Sequence, residues 1–261
     1  MIVTLLTDFG AADYFVAAMK GVILSAAPAA TIVDVTHEVP PQDVRAGAFT
    51  LLAACREFPP GTVHVAVVDP GVGSARRAVV VDAGAHRFVG PDNGLLGWIV
   101  DREPGARAFH ATDPTFFRHP VSTTFHGRDV FAPLAAALAN GAAPSDFGAE
   151  VGDLVRLEPL RPERGEDGAL RGTVLHVDRF GNCVTSFTRG DVGDDGAHGI
   201  RLIANGHEIR AVRRFYAEES TPGRVFAIWG SAGFLELSVN RDSAARLLAV
   251  RPGDPVTLSL A

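Results

Sequence analysis

Three short segments of the sequence carry the polar side chains that an active site needs. Residues 69–76 join Asp69 to Arg76 through a Pro-Gly turn and a second glycine. His126 stands in a Thr-Phe-His-Gly-Arg-Asp segment, and its imidazole can titrate near neutral pH. Asp8 stands in Thr-Asp-Phe-Gly, directly after an apolar run. Carboxylates and imidazoles are the groups that general acid–base chemistry uses.

Each segment also has an ordinary structural interpretation. Asp8 is typical of a helix N-cap followed by a glycine turn. Asp69, with the Pro-Gly that follows it, is typical of a tight turn closed by a surface ion pair. The segments after Asp178 and around Ser231 have the glycine and asparagine chemistry of hairpin turns. Taken singly, the segments leave these alternatives open.

The elements that must position these side chains alternate through the first half of the chain. Short β-branched runs and longer helical patterns follow one another, which is typical of an α/β domain with a largely parallel sheet. In such folds, ligands bind at the carboxyl ends of the strands. We predict strands over residues 2–7, 31–35, 63–68, 78–82 and 87–89, and helices over 13–25, 43–57 and 129–140.

The pattern breaks after residue 151, where charges, prolines and glycines replace the apolar period. We therefore assign 1–152 to an N-terminal α/β/α domain, 153–168 to a linker and 169–261 to a small C-terminal β-barrel. The strands predicted for the second domain are 172–177, 183–187, 199–204, 208–212, 225–229, 235–239 and 256–260.

Composition narrows the function classes. The 261 residues are 47% hydrophobic and 21% charged, which is ordinary for a folded domain. A formal charge of -6 argues against nucleic acid, whose binding needs Lys and Arg to neutralise phosphates. No long apolar run or signal-like start is present, and Cys55 and Cys183 lack a C-x-x-C partner. We expect a cytoplasmic protein without zinc or a membrane partner.

Taken together, the motifs resemble the SAM hydroxide adenosyltransferase family, which is related to fluorinase and chlorinase. The resemblance covers nearly the whole chain and is more specific than any single motif. It rests on the segments TDFG (7–10), MKGVI (19–23), DVTH (34–37), VDPGVG (68–73), GPDNGLL (90–96), FHGRD (125–129), FGN (180–182) and LEL (235–237).

The resemblance implies an activity: hydrolysis of S-adenosyl-L-methionine (SAM) to adenosine and L-methionine, by attack of water or hydroxide at the ribose C5′. It implies a catalytic trio of Asp69, Arg76 and His126, with no metal or cofactor because SAM is the substrate. It also implies a homotrimer, in which SAM lies between the N-domain of one subunit and the C-domain of its neighbour.

The same resemblance implies the substrate-binding residues. Asp8 would hold the ribose hydroxyls, Asn182 and the backbone around Ser231 and Val239 the adenine, and Asp178 the methionine end. The segment after Asp178 is one residue shorter than in fluorinase, and Gln42 replaces an aromatic residue of some relatives. The remaining pocket residues are Phe125, Phe180 and Glu236.

Two alternatives remain beside hydrolysis. One is a halide-dependent, chlorinase-like SAM adenosyltransferase, and the other is a SAM- or adenosine-binding module without turnover. The complete trio favours water as the nucleophile, and Gly127 stands where a fluoride-binding serine is expected. Whether Asp69 or His126 accepts the proton stays open at this stage.

Overall fold

The computed structural model describes residues 1–193 and 199–260. The chain divides into two compact units, Met1–Glu158 and Pro159–Ala261. Each unit has a hydrophobic core of its own. None of the helices in the described parts combines the length and the apolar character that crossing a bilayer requires.

The first unit is a mixed α/β structure. Its strands are β1 (Ile2–Thr7), β2 (Thr31–Thr36), β3 (Val63–Val67), β4 (Ala78–Ala83), β5 (His86–Pro91), β6 (Arg107–His110) and β7 (Glu150–Val151). Its helices are α1 (Phe15–Ala26), α2 (Val44–Ala54), α3 (Gly97–Arg102) and α4 (Ala132–Ala139). Short 3₁₀ turns follow α2 at Cys55–Glu57 and lie at Pro114–Phe116 and Pro144–Phe147, while a π-helical turn, Gly127–Phe131, leads into α4.

The strands of this unit pair in the order β2-β1-β3-β5-β4-β6-β7. The pairs β1/β2, β1/β3 and β3/β5 are parallel, as expected. The pairs β4/β5, β4/β6 and β6/β7 are antiparallel, so the expectation of a largely parallel sheet holds for only part of it. The reason is a hairpin: β4 and β5 are joined by only two residues, and Gly84 takes the positive φ of +60° that this turn requires.

Successive side chains of a strand point to opposite faces of the sheet, and those on one face pack against helices α1 and α4. Val3 and Leu5 of β1, together with the valines of β3, pack in one cluster with Met19 and Ile23 of α1. The small and aliphatic residues of α4 join the same cluster and are almost fully buried. Because β1 pairs in parallel with both β2 and β3, the carboxyl ends of these three strands lie side by side. Asp8 and Asp69 follow the ends of β1 and β3 at this edge of the sheet.

The second unit is built from short strands. These are β8 (Glu163–Arg164), β9 (Leu170–Val177), β10 (Cys183–Thr188), β11 (Ile200–Ala204), β12 (His207–Ile209), β13 (Val212–Arg213), β14 (Val225–Trp229), β15 (Phe234–Val239) and β16 (Pro255–Leu260). They pair in the order β12-β11-β16-β9-β10-β15-β14-β13, with β8 beside β9. Two short helices, α5 (Arg189–Val192) and α6 (Ala244–Leu248), accompany this curled sheet.

Several element bounds differ from the prediction. The region 208–212 is not one strand, because β12 ends at Ile209 and the next strand, β13, pairs with β14 instead. Helices α1, α2 and α4 are shorter than predicted, and the elements that were not predicted are α3, β6, β7, β8, α5 and α6. The segment expected to start the linker packs on the first unit: Arg77 binds Asp153, and Trp98 donates to the Glu158 carbonyl.

Several buried polar groups of the two cores lie outside the candidate site. His64 is fully buried, and its Nδ1 lies 2.8 Å from Thr4 Oγ1 while its ring stacks on Phe88. Its Nε2 has no hydrogen-bond partner among the described residues. Cys55 and Cys183 are free thiols, buried in the first and second unit respectively.

The burial of His64 predicts a pH-dependent stability. Burial, with His86 close by, lowers the pKa of His64 from 6.5 to about 3. Below pH 6.5 the unfolded chain binds a proton at His64 that the native chain does not, so stability falls as pH drops toward 3. At pH 5 this costs about 2 kcal/mol relative to pH 8.

The measurement is the free energy of unfolding of the first unit in urea, followed by Trp98 fluorescence in a Trp229→Phe background. His64→Asn keeps a partner for Thr4 but cannot titrate, so it should lose this part of the pH dependence. His207→Asn, on the exposed strand β12, should leave the pH dependence as it is. An equally steep loss in His64→Asn would contradict the assignment.

Candidate active site

Asp69, Arg76 and His126 are in direct contact. Asp69 follows β3 by two residues, Arg76 precedes β4, and His126 precedes the π-helical turn. Arg76 Nε donates to both Asp69 oxygens at 2.9 and 3.0 Å, and its Nη2 donates to Oδ2 at 2.5 Å. The side chains of Asp69 and Arg76 are only 5% and 9% exposed. This is a shielded ion pair rather than the surface pair of the alternative interpretation.

The same guanidinium fixes the state of the imidazole. Arg76 Nη2 lies 2.6 Å from His126 Nδ1. Because a guanidinium only donates, Nδ1 must accept, and the hydrogen of the neutral ring is on Nε2. Burial, followed by the positive charge of Arg76, lowers the pKa of His126 below its ordinary 6.5. Near neutral pH, His126 is therefore a neutral ring with its hydrogen on Nε2.

Close backbone packing brings the two loops together. Gly73 has φ +77°, and a Cβ at this position would lie 2.2 Å from the Thr123 carbonyl oxygen. Only glycine allows this approach. On the other side, the Asn93 amide donates to the Val68 carbonyl at 2.9 Å, directly before Asp69. The motif around Asn93 thus has a structural role: it holds the end of the strand that presents the acid.

Asp8 lies in a turn beside the His126 loop. Its Oδ2 accepts the Gln42 N–H at 2.8 Å, which leaves Oδ1 without a protein donor among the described contacts. Gln42 has φ +66°, a conformation that costs energy for a residue with a side chain. Phe9, the next residue, packs edge-on against Phe125 with the ring centroids 6.0 Å apart.

In the second unit, four of the predicted binding residues line one cavity of about 700 Å³. These are Asp178, Phe180, Asn182 and Val239. Phe180 is 75% exposed at the tip of the β9–β10 turn, so its ring is free to stack on a planar group. Asn182 is buried and retains its amide oxygen as an acceptor.

Asp178 has a structural task inside its own turn. Its Oδ1 accepts the Phe180 and Asn182 N–H groups at 2.9 and 2.8 Å, and its Oδ2 accepts the Asn182 amide at 2.9 Å. Both carboxylate oxygens are thus already hydrogen-bonded. The contact with Asn182 fixes the orientation of the Asn182 amide, so Asp178 orients a residue that lines the cavity.

Glu236 and Ser231 stand apart from the lining of this cavity. Glu236 is buried in β15, and burial, reinforced by the Asp178 carboxylate, raises its pKa. It lies 3.5 Å from the hydroxyl of Tyr216, which does line the cavity. Ser231 is exposed in the turn before β15.

Sequence reasoning missed some of the residues that shape these sites. Tyr216 comes from a segment without a motif, and Arg241, with φ +60°, lines the same cavity. Gln42 was noted only for its side chain, whereas its backbone N–H holds Asp8. The Pro40-Pro41-Gln42-Asp43 segment, a proline pair before an N-cap, is the signal that a turn is placed there. In the described ranges, no group of three His, Cys, Asp or Glu side chains is placed to hold a metal ion.

The fold and the site define a class of enzyme. In this class an α/β unit is followed by a β-rich unit, and an Asp-Arg-His network lies at the strand ends of the α/β unit. Comparison of the chain with family models agrees with this assignment. The model of the SAM hydroxide adenosyltransferase N-terminal domain matches residues 3–148, and that of the C-terminal domain matches 172–257. The chain belongs to the SAM hydroxide adenosyltransferase family.

Similar proteins cover the whole chain. An (R)-S-adenosyl-L-methionine hydrolase of Salinispora arenicola is 45% identical over 97% of this chain and 95% of its own. A fluorinase of an Actinoplanes species is 28% identical over 100% and 98% of the two chains. A solved structure, an uncharacterized conserved protein from Thermotoga maritima, superposes with a TM-score of 0.88 at 34% identity and covers 99% of each chain.

The close approach at Gly73 gives a prediction about the site. Gly73→Ala forces the loop of Asp69 away from Thr123, so Arg76 loses its contact with His126. We expect the His126 pKa, measured by NMR titration, to rise toward 6.5, because Arg76 no longer faces the ring. The matched control is Gly61→Ala, which has a similar φ of +86° but no atom within 4 Å of its Cβ. An unchanged His126 titration in Gly73→Ala would contradict the proposed packing.

Proposed function

We propose that this protein hydrolyses S-adenosyl-L-methionine to adenosine and L-methionine. The observation that carries the proposal is the direct contact of Asp69, Arg76 and His126 in a shielded network. Family membership and the names of the relatives supply the substrate. The described geometry supplies the groups that activation of a water molecule needs.

The reaction is an in-line displacement at the ribose C5′. An oxygen–carbon bond forms, the carbon–sulfur bond breaks, and its electron pair goes to sulfur, so the sulfonium becomes the neutral thioether of methionine. Water loses one proton. The leaving group is already good, so the protein must activate and orient the nucleophile.

The contacts of Arg76 favour Asp69 as the group that accepts this proton. His126 Nδ1 is occupied by Arg76, and its Nε2 carries a hydrogen, so the neutral ring can donate to the water oxygen but not accept from it. Asp69 is an acceptor at both oxygens, each with capacity left beside Arg76. In this mechanism Arg76 holds the carboxylate, and His126 fixes the attacking oxygen.

The binding residues complete the proposal. Asp8 holds the ribose hydroxyls with its open oxygen, and Phe125 covers the sugar side. In the second unit, Asn182 and the backbone at Ser231 and Val239 bind the adenine. Phe180 stacks on the base, Asp178 lies at the methionine end, and Glu236 belongs to the same pocket.

The finer architecture belongs to the same proposal. It comprises an α/β/α N-terminal domain, a small C-terminal β-barrel, and a cytoplasmic homotrimer with SAM between the N-domain of one subunit and the C-domain of the next. The family resemblance supports this arrangement. It would bring the two sets of binding residues to one substrate.

Water is favoured over halide by the surroundings of Gly127. A Cβ at Gly127 would lie 3.1 Å from Met19 Sδ and 3.3 Å from the Phe125 ring. A serine at this position would therefore need its neighbours to shift. The π-helical turn that begins at this glycine leaves the space to aromatic and thioether groups instead.

Single substitutions in the trio test the hydrolysis. Asp69→Asn keeps the shape but removes the proton acceptor, so we expect kcat to fall by about 10²-fold or more. His126→Asn keeps an acceptor for Arg76 but removes the Nε2–H donor, and a smaller fall, about tenfold, is expected. The measurement is chromatography of adenosine and methionine formed from SAM, and His207→Asn is the control.

The outcomes separate the alternatives. Hydrolysis at the wild-type rate by Asp69→Asn would contradict the mechanism. Formation of 5′-chloro-5′-deoxyadenosine that depends on chloride, without adenosine, would identify a halide-dependent transferase. Binding of SAM without any product would identify a binding module.

The state of His126 also predicts the pH profile. A second proton on His126 would place an N–H on Nδ1 against the Arg76 N–H groups, so the network works only with the neutral ring. Because the pKa of His126 is lowered from its ordinary 6.5, activity should reach half of its maximum on the acid side only below pH 6.5. The measurement is kcat/KM for SAM between pH 5 and 9. A profile that is already half-lost above pH 6.5 would contradict this state.

A further inference from the structure

Lys20 is the single lysine of the chain, and the other 23 basic residues among the 24 Lys and Arg are arginines. It belongs to a series of polar contacts that ends at the turn of residues 7–10. Lys20 extends from α1, and its Nζ donates to Asp34 Oδ2 at 2.6 Å. The Lys20 and Asp34 side chains are 34% and 40% exposed, so the pair is accessible to solvent.

The second oxygen of the Asp34 carboxylate contacts His37. The Nε2 of His37 lies 3.0 Å from Asp34 Oδ1, and the His37 side chain is only 10% exposed. Burial raises the pKa of Asp34, but the contacts with Lys20 and His37 outweigh it and lower the pKa overall. His37 Nε2 has no hydrogen bond of good geometry among the described residues, so its approach to Asp34 is a close polar contact rather than a hydrogen bond.

His37 in turn holds the turn of residues 7–10 at two points. Its Nδ1 lies 2.9 Å from Thr7 Oγ1, and its backbone carbonyl accepts the Gly10 N–H at 2.7 Å. Thr7 Oγ1 also accepts the Phe9 N–H at 3.2 Å. Asp8 is the residue enclosed by these contacts, and none of its own described bonds reaches His37.

We propose that Lys20, Asp34 and His37 are positioning residues, which lock the turn of residues 7–10 and thereby aim the Asp8 carboxylate at a ribose diol. The proposal rests on the function proposed above for Asp8. These three residues act on substrate affinity rather than on the displacement, because they support a binding carboxylate and not the trio.

The choice of lysine fits this role. An ammonium group is a compact charge that binds Asp34 Oδ2 and leaves Oδ1 to His37. A guanidinium prefers to grip both oxygens of a carboxylate and would compete with His37. An isolated surface ion pair would instead contribute little, and its loss would leave substrate binding unchanged.

The first test is the kinetic effect of Lys20→Met. We expect KM for SAM to rise about fivefold with kcat within twofold of the wild type, because ground-state and transition-state binding fall together. Arg107→Met is the matched control: it also removes a cation 2.6 Å from a carboxylate, Glu150, and should leave KM unchanged. A normal KM in Lys20→Met, or an equal rise in Arg107→Met, would overturn the proposal.

A double-mutant cycle tests whether the effect runs through Asp8. If it does, Lys20→Met has no further effect in an Asp8→Ala background. An equal effect in both backgrounds would show a general structural role and overturn the proposal. Calorimetric binding of adenosine gives the same cycle without turnover. Wild-type protein that binds adenosine but does not cleave SAM therefore defeats the proposed function alone.

The uniqueness of Lys20 allows a chemical version of the experiment. Amine acetylation removes the charge of Lys20, whereas reductive methylation keeps it. Acetylation should weaken adenosine binding about as much as Lys20→Met, and methylation should preserve most of it. Lys20→Met protein, in which only the N-terminal amine reacts, is the control. Equal weakening by both reagents would contradict a role for the charge.

Discussion

The candidate site depends on one guanidinium that serves two partners. Arg76 cannot give up its protons, so the carboxylate on one side and the imidazole nitrogen on the other must both be acceptors. This arrangement turns both Asp69 oxygens toward Arg76 and leaves His126 as a neutral ring with its hydrogen on Nε2. A lysine could neutralise Asp69, but its single ammonium nitrogen would not impose this planar arrangement. The chemistry of the site is therefore defined by a residue that need not exchange a proton itself.

Backbone geometry brings the partners within reach of Arg76. The contact of Gly73 with Thr123 has no room for a side chain. Asn93 holds the carbonyl before Asp69, and His37 holds the turn that presents Asp8. Motifs that carry no reactive group thus keep reactive groups in place. The carboxyl ends of neighbouring parallel strands supply the common edge on which all these loops meet.

Much of this organisation could be predicted from the sequence, for identifiable reasons. The bounds of β1 and β14 match because apolar, β-branched runs end at clear polar or glycine positions. The direction of β4 could not be derived from periodicity, which is the same in parallel and antiparallel strands. Likewise, a π-helical turn after His126 has the same residue pattern as an α-helix.

Residue types and family resemblance selected Asp69, Arg76 and His126, but the Nδ1 contact that fixes the tautomer depends on rotamers. Tyr216 enters its cavity from a remote segment, and long-range packing of that kind leaves no local pattern.

The burial of the two thiols has a consequence for how the protein meets oxidants. Burial raises the pKa of Cys55, and it raises that of Cys183 to about 12. Thiolate is the reactive form, so the folded chain presents almost none of it to peroxide or to alkylating reagents. The Asp-Arg-His network includes no sulfur atom either. Sulfhydryl reagents should therefore label the folded chain slowly, and labelling would report mainly on molecules whose cores have opened.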